Sequence, residues 1–195
     1  LFRSGHGGSG KTTLLEALLS AAGAINRVGA VEEGNTVSDF DDEEKERGHS
    51  LSATAAWVEH NSVELNLIDT PGYPDFVGPA LASLGAVETA AVVVSAQAGI
   101  EVNTRRMMEA AESEGLARAI VINKINSENV DLPGLLAAIQ ETFGAQCLPL
   151  NLPTGGGKGV VDVLANEGGD ADFSDPAEAH TAVMEAVIEA DEEMM

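Results

Sequence analysis

Residues 5–12 read Gly5-His6-Gly7-Gly8-Ser9-Gly10-Lys11-Thr12, the pattern GxxxxGK[ST]. Glycines at this spacing let the backbone curl until consecutive N–H groups converge on one anion-sized hollow. The lysine can reach the β- and γ-phosphates of a nucleotide as a point charge, and the hydroxyl after it can ligate Mg²⁺. Thr13-Leu14-Leu15-Glu16-Ala17-Leu18-Leu19 is an apolar, helix-favouring run, so the phosphates would rest on a helix N-terminus. The expected phosphate-binding residues are Gly5, His6, Gly7, Gly8, Ser9, Gly10, Lys11, Thr12 and Thr13, with His6 as a spacer.

Two further motifs follow in order. Val63–Gly72 is an apolar strand ending Asp69-Thr70-Pro71-Gly72. An acid at such a strand end holds Mg²⁺, usually through water, and the Gly72 N–H can sense a γ-phosphate because no side chain blocks its approach. Val121-Ile122-Asn123-Lys124-Ile125-Asn126 is similar to the guanine-reading signature NKxD. In that signature the asparagine supports the base and its loop, the lysine stem packs over the ring, and the aspartate accepts two hydrogen bonds from guanine. Here the last position is Asn126, whose amide offers one acceptor and one donor. Against guanine this mismatch would cost about 2–3 kcal/mol. Xanthine, with an oxygen in place of the amine, matches it better. Three readings of Asn126 stand: a weaker guanine contact in a protein that still uses GTP, an altered base preference, or a residue that is not native.

The elements that must position these motifs can be read from periodicity and punctuation. Residues 1–4 look like the end of a first strand, and 11–22 like a helix ending near Gly23. Residues 26–50 are polar and acidic with little periodicity, and are expected to form a long mobile loop. Residues 53–59 and 63–69 read as strands joined by a His60-Asn61-Ser62 turn. Further helices are expected at 75–84, 103–114 and 132–143, and further strands at 90–95 and 117–123. The alternation implies a mainly parallel sheet with helices on both faces. Beyond it, 147–152 reads as a strand and 166–176 as exposed chain. Thr154-Gly155-Gly156-Gly157-Lys158-Gly159 looks like a second phosphate loop but lacks the GK[ST] end, so it is expected to be a flexible loop. Residues 177–195 read as an amphipathic acidic helix.

The chain has 195 residues, 44 % of them apolar, and a net charge of −22 from 32 acidic and 10 basic side chains. That acidity argues against a nucleic-acid-gripping face within this segment. The single cysteine, Cys147, excludes an internal disulfide and suits a reducing compartment, so a cytoplasmic location is expected. No apolar run is long enough for a membrane span. There is no initiator methionine, and the sequence starts directly before the phosphate loop, so it reads as a fragment. His49, His60 and His180 are expected at the surface, and Asp41-Asp42-Glu43-Glu44 as a solvated mobile face. Arg47 is expected to pair with those acids, a cis arginine finger being the other reading.

With loop, DxxG and NKxN in order, the chain resembles the translational GTPases, and most closely elongation factor G and elongation-factor-G-like proteins. The resemblance includes Ser38–Leu51, which is similar to the family's switch I stretch with its usual core Arg-Gly-Ile-Thr-Ile. It also takes in Ser95–Glu101, and Cys147–Leu164 with Ala182–Met194, which resemble the start of an inserted subdomain. It implies a phosphate-loop α/β G domain over 1–145 and an incomplete inserted subdomain over 146–195. It implies GTP/GDP and Mg²⁺ as ligands, with metal held by Thr12, Ser50 and Asp69, base contacts from Asn123, Lys124 and Asn126, and catalysis through Lys11, Gly72 and residue 73. It implies hydrolysis coupled to the ribosome in translocation or recycling, by a monomeric factor whose ribosome contacts lie mainly outside this chain.

Four departures from the family pattern bear on that expectation. Ser50 replaces the switch I threonine and keeps the hydroxyl. Tyr73 stands where the family's histidine positions the attacking water, and its single phenolic hydroxyl predicts weakened hydrolysis. Tyr73 can equally be an amphipathic residue packed over the switch. Asn126 is the third departure. The fourth is the family's last base-contacting Ser-Ala pair, which falls beyond Met195. Two rival functions remain at this stage: a nucleotide-sensing switch with little turnover, and a phosphate-loop kinase or ATPase.

Overall fold

Residues 92–94 are three consecutive valines, each fully buried. Successive strand side chains point to opposite faces, so this run needs cover on both sides, and the fold supplies it. The computed structural model describes residues 2–5 and 7–190. Leu1, His6 and the end of the expected C-terminal helix, 191–195, lie outside the described residues. In chain order the elements are β1 (Phe2–Gly5), α1 (Lys11–Ala21), α2 (Asp42–Arg47), β2 (Thr54–His60), β3 (Val63–Asp69), α3 (Val77–Leu84), β4 (Thr89–Ser95), α4 (Val102–Ser113), β5 (Ala117–Asn123), α5 (Leu132–Phe143), β6 (Asn151–Thr154), β7 (Gly159–Asp162) and α6 (Pro176–Ala190).

The chain divides into two compact units, Leu1–Lys124 and Ile125–Met195. In the first, five strands form one sheet in the order β2-β3-β1-β4-β5. β1 runs parallel to β3 and β4, and β4 parallel to β5. Only β2 is antiparallel, paired with β3 from His60↔Val63 to Thr54↔Asp69. Its hairpin turns on Asn61 and Ser62, both at positive φ (49° and 63°), the backbone that matches the twist of a two-residue hairpin. α1 packs on β1 and β3; α3 and α4 pack on each other and on β1, and α4 also covers β4 and β5. Leu15 and Leu19 of α1 form one core cluster with Val58 and Leu67. Burial of each such side chain contributes roughly 1.5–3 kcal/mol. The parallel sheet places the ends of β1, β3 and β5, with the motifs that follow them, along one edge.

The segment 26–50 is not the featureless loop expected from its composition. It holds one turn of 3-10 helix at Val31–Glu33 and the helix α2. Two carboxylates organise it. Glu16 of α1 is fully buried and accepts the N–H groups of Gly29 and Val37, each at 2.6 Å. Glu44 is 2 % exposed and accepts those of Leu51 at 2.8 Å and Ser52 at 3.0 Å. Glu44 therefore corrects the expectation of a wholly solvated acidic run. Its neighbours Asp41, Asp42 and Glu43 are exposed, and Arg47 pairs with Glu43 at 2.6 Å, as expected.

In the second unit, Leu152, Val163 and Val183 form a small core with Leu148, Phe173 and Met184 packed on it. β6 and β7 make an antiparallel hairpin. The strand expected at 147–152 thus begins at Asn151, and its partner strand was not expected at all. The glycine-rich stretch between them is a closed turn rather than a loose loop. Gly155, Gly156 and Gly157 are all left-handed, and the Asp172 carboxylate accepts the N–H groups of Gly156 at 2.9 Å and Gly157 at 2.8 Å. These bonds hold the Asp172 carboxyl below the ordinary carboxylate range. His180, expected at the surface, is half-buried, with Nδ1 2.7 Å from the Val163 carbonyl.

Candidate functional site

The phosphate loop leaves β1 at Gly5 and enters α1 at Lys11. Gly10 has φ 88°, and a Cβ there would come within 2.4 Å of the Asn123 amide nitrogen, so both backbone and neighbour require glycine. Lys11 is 7 % exposed and folds back over the loop, its Nζ donating to the Gly5 carbonyl at 3.3 Å. The loop is braced from β5 as well. Asn123 Nδ2 donates to the Ser9 carbonyl at 3.0 Å, and Lys124 Nζ to the Gly8 carbonyl at 2.8 Å. Asn123 and Lys124 are thus hydrogen-bonded to the phosphate loop. Ser9 is buried, Gly8 and Thr13 are exposed, and His6 lies outside the described residues. Asn126 is an exposed residue of the second unit.

The Thr12 hydroxyl ties three segments together. It donates to Asp69 Oδ2 at 2.9 Å and lies 3.4 Å from the Ser50 hydroxyl. Ser50 in turn donates to Asp39 Oδ1 at 2.6 Å. Asp39 is 3 % exposed, and its Oδ2 is buried with no hydrogen-bond partner among the described residues. An orphaned carboxylate oxygen beside two hydroxyls and a second buried carboxylate is an oxygen donor set of the kind a hard divalent cation takes. The residues present therefore fit Mg²⁺, with Thr12, Ser50, Asp69 and Asp39 to hold it. Asp39 is the member that the sequence motifs do not announce. Its only signal is its separation by Phe40 from the acids that follow.

After β3, Thr70, Pro71 and Gly72 are buried. The Gly72 carbonyl accepts from Asn103 Nδ2 at 3.0 Å, a tether from α4 that no motif announced. Tyr73 is 42 % exposed. Its ring lies across the phosphate loop, where a Cβ on Gly7 would sit 3.0 Å from it. The ring also meets His49, centroid to centroid 4.4 Å at a tilt of 44°. His49 is therefore half-buried against Tyr73, not the free surface residue expected.

Comparison with known proteins agrees with this geometry. The elongation factor Tu GTP binding domain profile matches residues 3–193. The elongation factor G-like protein of Mycobacterium tuberculosis is 38 % identical over 200 residues, covering 97 % of this chain and 28 % of that protein. The mitochondrial ribosome-releasing factor 2 of Culex quinquefasciatus is 37 % identical over 163 residues, covering 82 % of this chain and 22 % of its own length. A crystal structure of a Thermus thermophilus protein superposes with a TM-score of 0.85 at 37 % identity, over 99 % of this chain and 32 % of that one. The chain thus spans less than a third of the length of these relatives. It belongs to the family of the elongation factor Tu GTP binding domain, and its fold is that family's phosphate-loop α/β G domain.

Proposed function

We propose that this chain is the nucleotide switch of an elongation-factor-G-like translation factor, binding GTP with Mg²⁺ and hydrolysing it to GDP and phosphate. One observation carries the reading. The Thr12 hydroxyl contacts Asp69 at 2.9 Å and Ser50 at 3.4 Å, so the loop, the strand end and the 38–51 segment meet at one point. A γ-phosphate contacted there by Lys11, Ser50 and the Gly72 N–H would order both flanking segments, and its loss would release them. Bound Mg²⁺ would supply charge neutralisation on the β- and γ-phosphates. The names of two relatives, elongation factor G-like protein and ribosome-releasing factor 2, support coupling of that cycle to the ribosome, in translocation or recycling in the cytoplasm. Within this reading residues 1–145 form the G domain and 146–195 begin an inserted subdomain. The factor acts as a monomer, and this segment presents no nucleic-acid face.

Asn126 weakens the guanine contact without abolishing it. Tyr73 in place of the family's histidine slows intrinsic hydrolysis. The test is Mg²⁺-dependent competition among GTP, XTP and ATP, followed by single-turnover hydrolysis with and without ribosomes. GTP winning and turning over supports the proposal. XTP or ATP winning overturns the nucleotide assignment, and GTP bound without turnover under both conditions makes the domain a sensing switch.

A further inference from the structure

The segment that follows α2 carries an imidazole into an unusual place. The His49 N–H donates to the Glu44 carbonyl at 3.3 Å, and the N–H groups of Leu51 and Ser52 are held by the Glu44 carboxylate at 2.8 and 3.0 Å. His49 is thus fixed from both sides, directly beside Ser50, whose hydroxyl lies 3.4 Å from that of Thr12. Its ring is flanked by Tyr73 at 4.4 Å and Phe76 at 6.1 Å. Tyr73 reaches the phosphate loop, its ring 3.0 Å from where a Cβ on Gly7 would sit. An imidazole and a phenol therefore pack together beside the loop, and the imidazole's neighbour in sequence, Ser50, carries the hydroxyl that approaches Thr12.

The His49 Nδ1 lies 3.4 Å from the Ser50 carbonyl, and an imidazole that donates there keeps Nε2 as an acceptor, whereas a phenol concentrates both roles in one oxygen. Holding a water for in-line attack needs an acceptor for its proton and a fixed lone-pair direction, and positioning is most of what a protein contributes to phosphoryl transfer. We propose that His49 and Tyr73 form one water-orienting pair, the His49 imidazole supplying the second polar contact that Tyr73 alone cannot. The inference rests on the GTPase reading. In the reaction the water oxygen bonds to the γ-phosphorus. The bond from that phosphorus to the β,γ-bridging oxygen breaks, its electron pair leaves on GDP, and the water proton ends on the released phosphate. The pair orients the water and takes no net proton.

The test is single-turnover GTP hydrolysis by the full-length protein, beside GTP and GDP affinity, for the wild type, His49→Ile, Tyr73→His and the double variant. We expect His49→Ile to lower the rate about a hundredfold, the low end for a positioned polar group, with nucleotide affinity within about threefold of wild type. Adding Tyr73→His to His49→Ile returns an imidazole to the other side of the same contact, and most of the rate with it. His49→Gln, which keeps a donor and an acceptor, falls between. A wild-type rate in His49→Ile overturns the pair. So does a parallel fall in affinity and rate, which marks a packing role, or a double variant as slow as His49→Ile. A wild type that binds GTP without hydrolysing it fails the GTPase reading itself, and takes the pair with it.

Discussion

Two glycine-rich turns in this chain share composition and differ in what holds them. At residues 5–12 the braces enter through carbonyl oxygens: Lys11 binds the Gly5 carbonyl, Lys124 that of Gly8 and Asn123 that of Ser9. At residues 154–159 the brace enters through N–H groups, those of Gly156 and Gly157, and it is the chain's own Asp172 carboxylate. A run of amides curled towards one point is an anion site. In the first turn two cations and an amide hold carbonyl oxygens of the loop, the arrangement that suits the phosphate site proposed above. In the second the anion is already built in. Composition alone does not separate the two cases; the position of the nearest carboxylate does.

The largest expected effect breaks that comparison at its first member. Lys11→Ala removes a buried cation from the phosphate loop, and losing about 3 kcal/mol of charge-assisted hydrogen bonding to the proposed phosphates corresponds to roughly a hundredfold loss of GTP affinity. Lys158→Ala, in the second turn, changes it by less than about twofold, because a lysine beside a filled turn has no anion to meet. Titration calorimetry on both variants decides the matter, and comparable losses would mean that the two turns are functionally alike.

Next comes the frame around the first turn. Glu16→Ala leaves the N–H groups of Gly29 and Val37 without their acceptor in a fully buried site. We expect about 2–3 kcal/mol lower stability in urea unfolding. Glu16→Gln, retaining one carbonyl acceptor, loses less. A loss below about 0.5 kcal/mol for the alanine variant would show that water replaces the carboxylate and that the segment is not anchored there.

Glu16 also shows what was legible in the sequence and what was not. β3, β5 and the hairpin at Asn61-Ser62 were readable to within a residue or two, because short apolar runs and turn residues are local signals. The phosphate loop was readable because its glycines answer to local backbone geometry. Glu16, Asp39 and Glu44 were not, since an acid in a polar stretch is ordinarily solvated and only the folded chain shows which backbone amides it meets. β7 escaped because four residues, Gly159–Asp162, carry too little pattern to stand apart from a loop. His49 was unreadable for a different reason: its meaning lies in the ring of Tyr73, 24 positions away in sequence and 4.4 Å away in space.

A smaller effect is expected at the motif proposed to read the base. Asn126→Asp supplies the second acceptor that guanine requires, and should raise GTP affinity about tenfold while lowering XTP affinity by a similar factor. Competition binding of the two nucleotides measures it. No change in their ratio would place Asn126 outside the base contact.

The smallest effect sharpens the second turn. The Asp172 carboxyl is held below its ordinary value of 3.8, first by the Gly156 N–H and then by the Gly157 N–H. A carboxyl whose value is lowered by folding contributes stability that is fully present above 3.8, and that contribution is lost as the pH falls through the lowered folded value. At neutral pH the turn is therefore closed, and acid opens it. The backbone amide resonances of Gly156 and Gly157 should carry the downfield shift of a charge-assisted bond, still present at pH 3.8 and collapsing together only below it. Asp172→Asn should lack the shift at every pH while leaving GTP affinity unaltered. A shift that survives acidification unchanged would mean that the turn holds itself, and the contrast with the phosphate loop would then rest on backbone geometry rather than on the built-in anion.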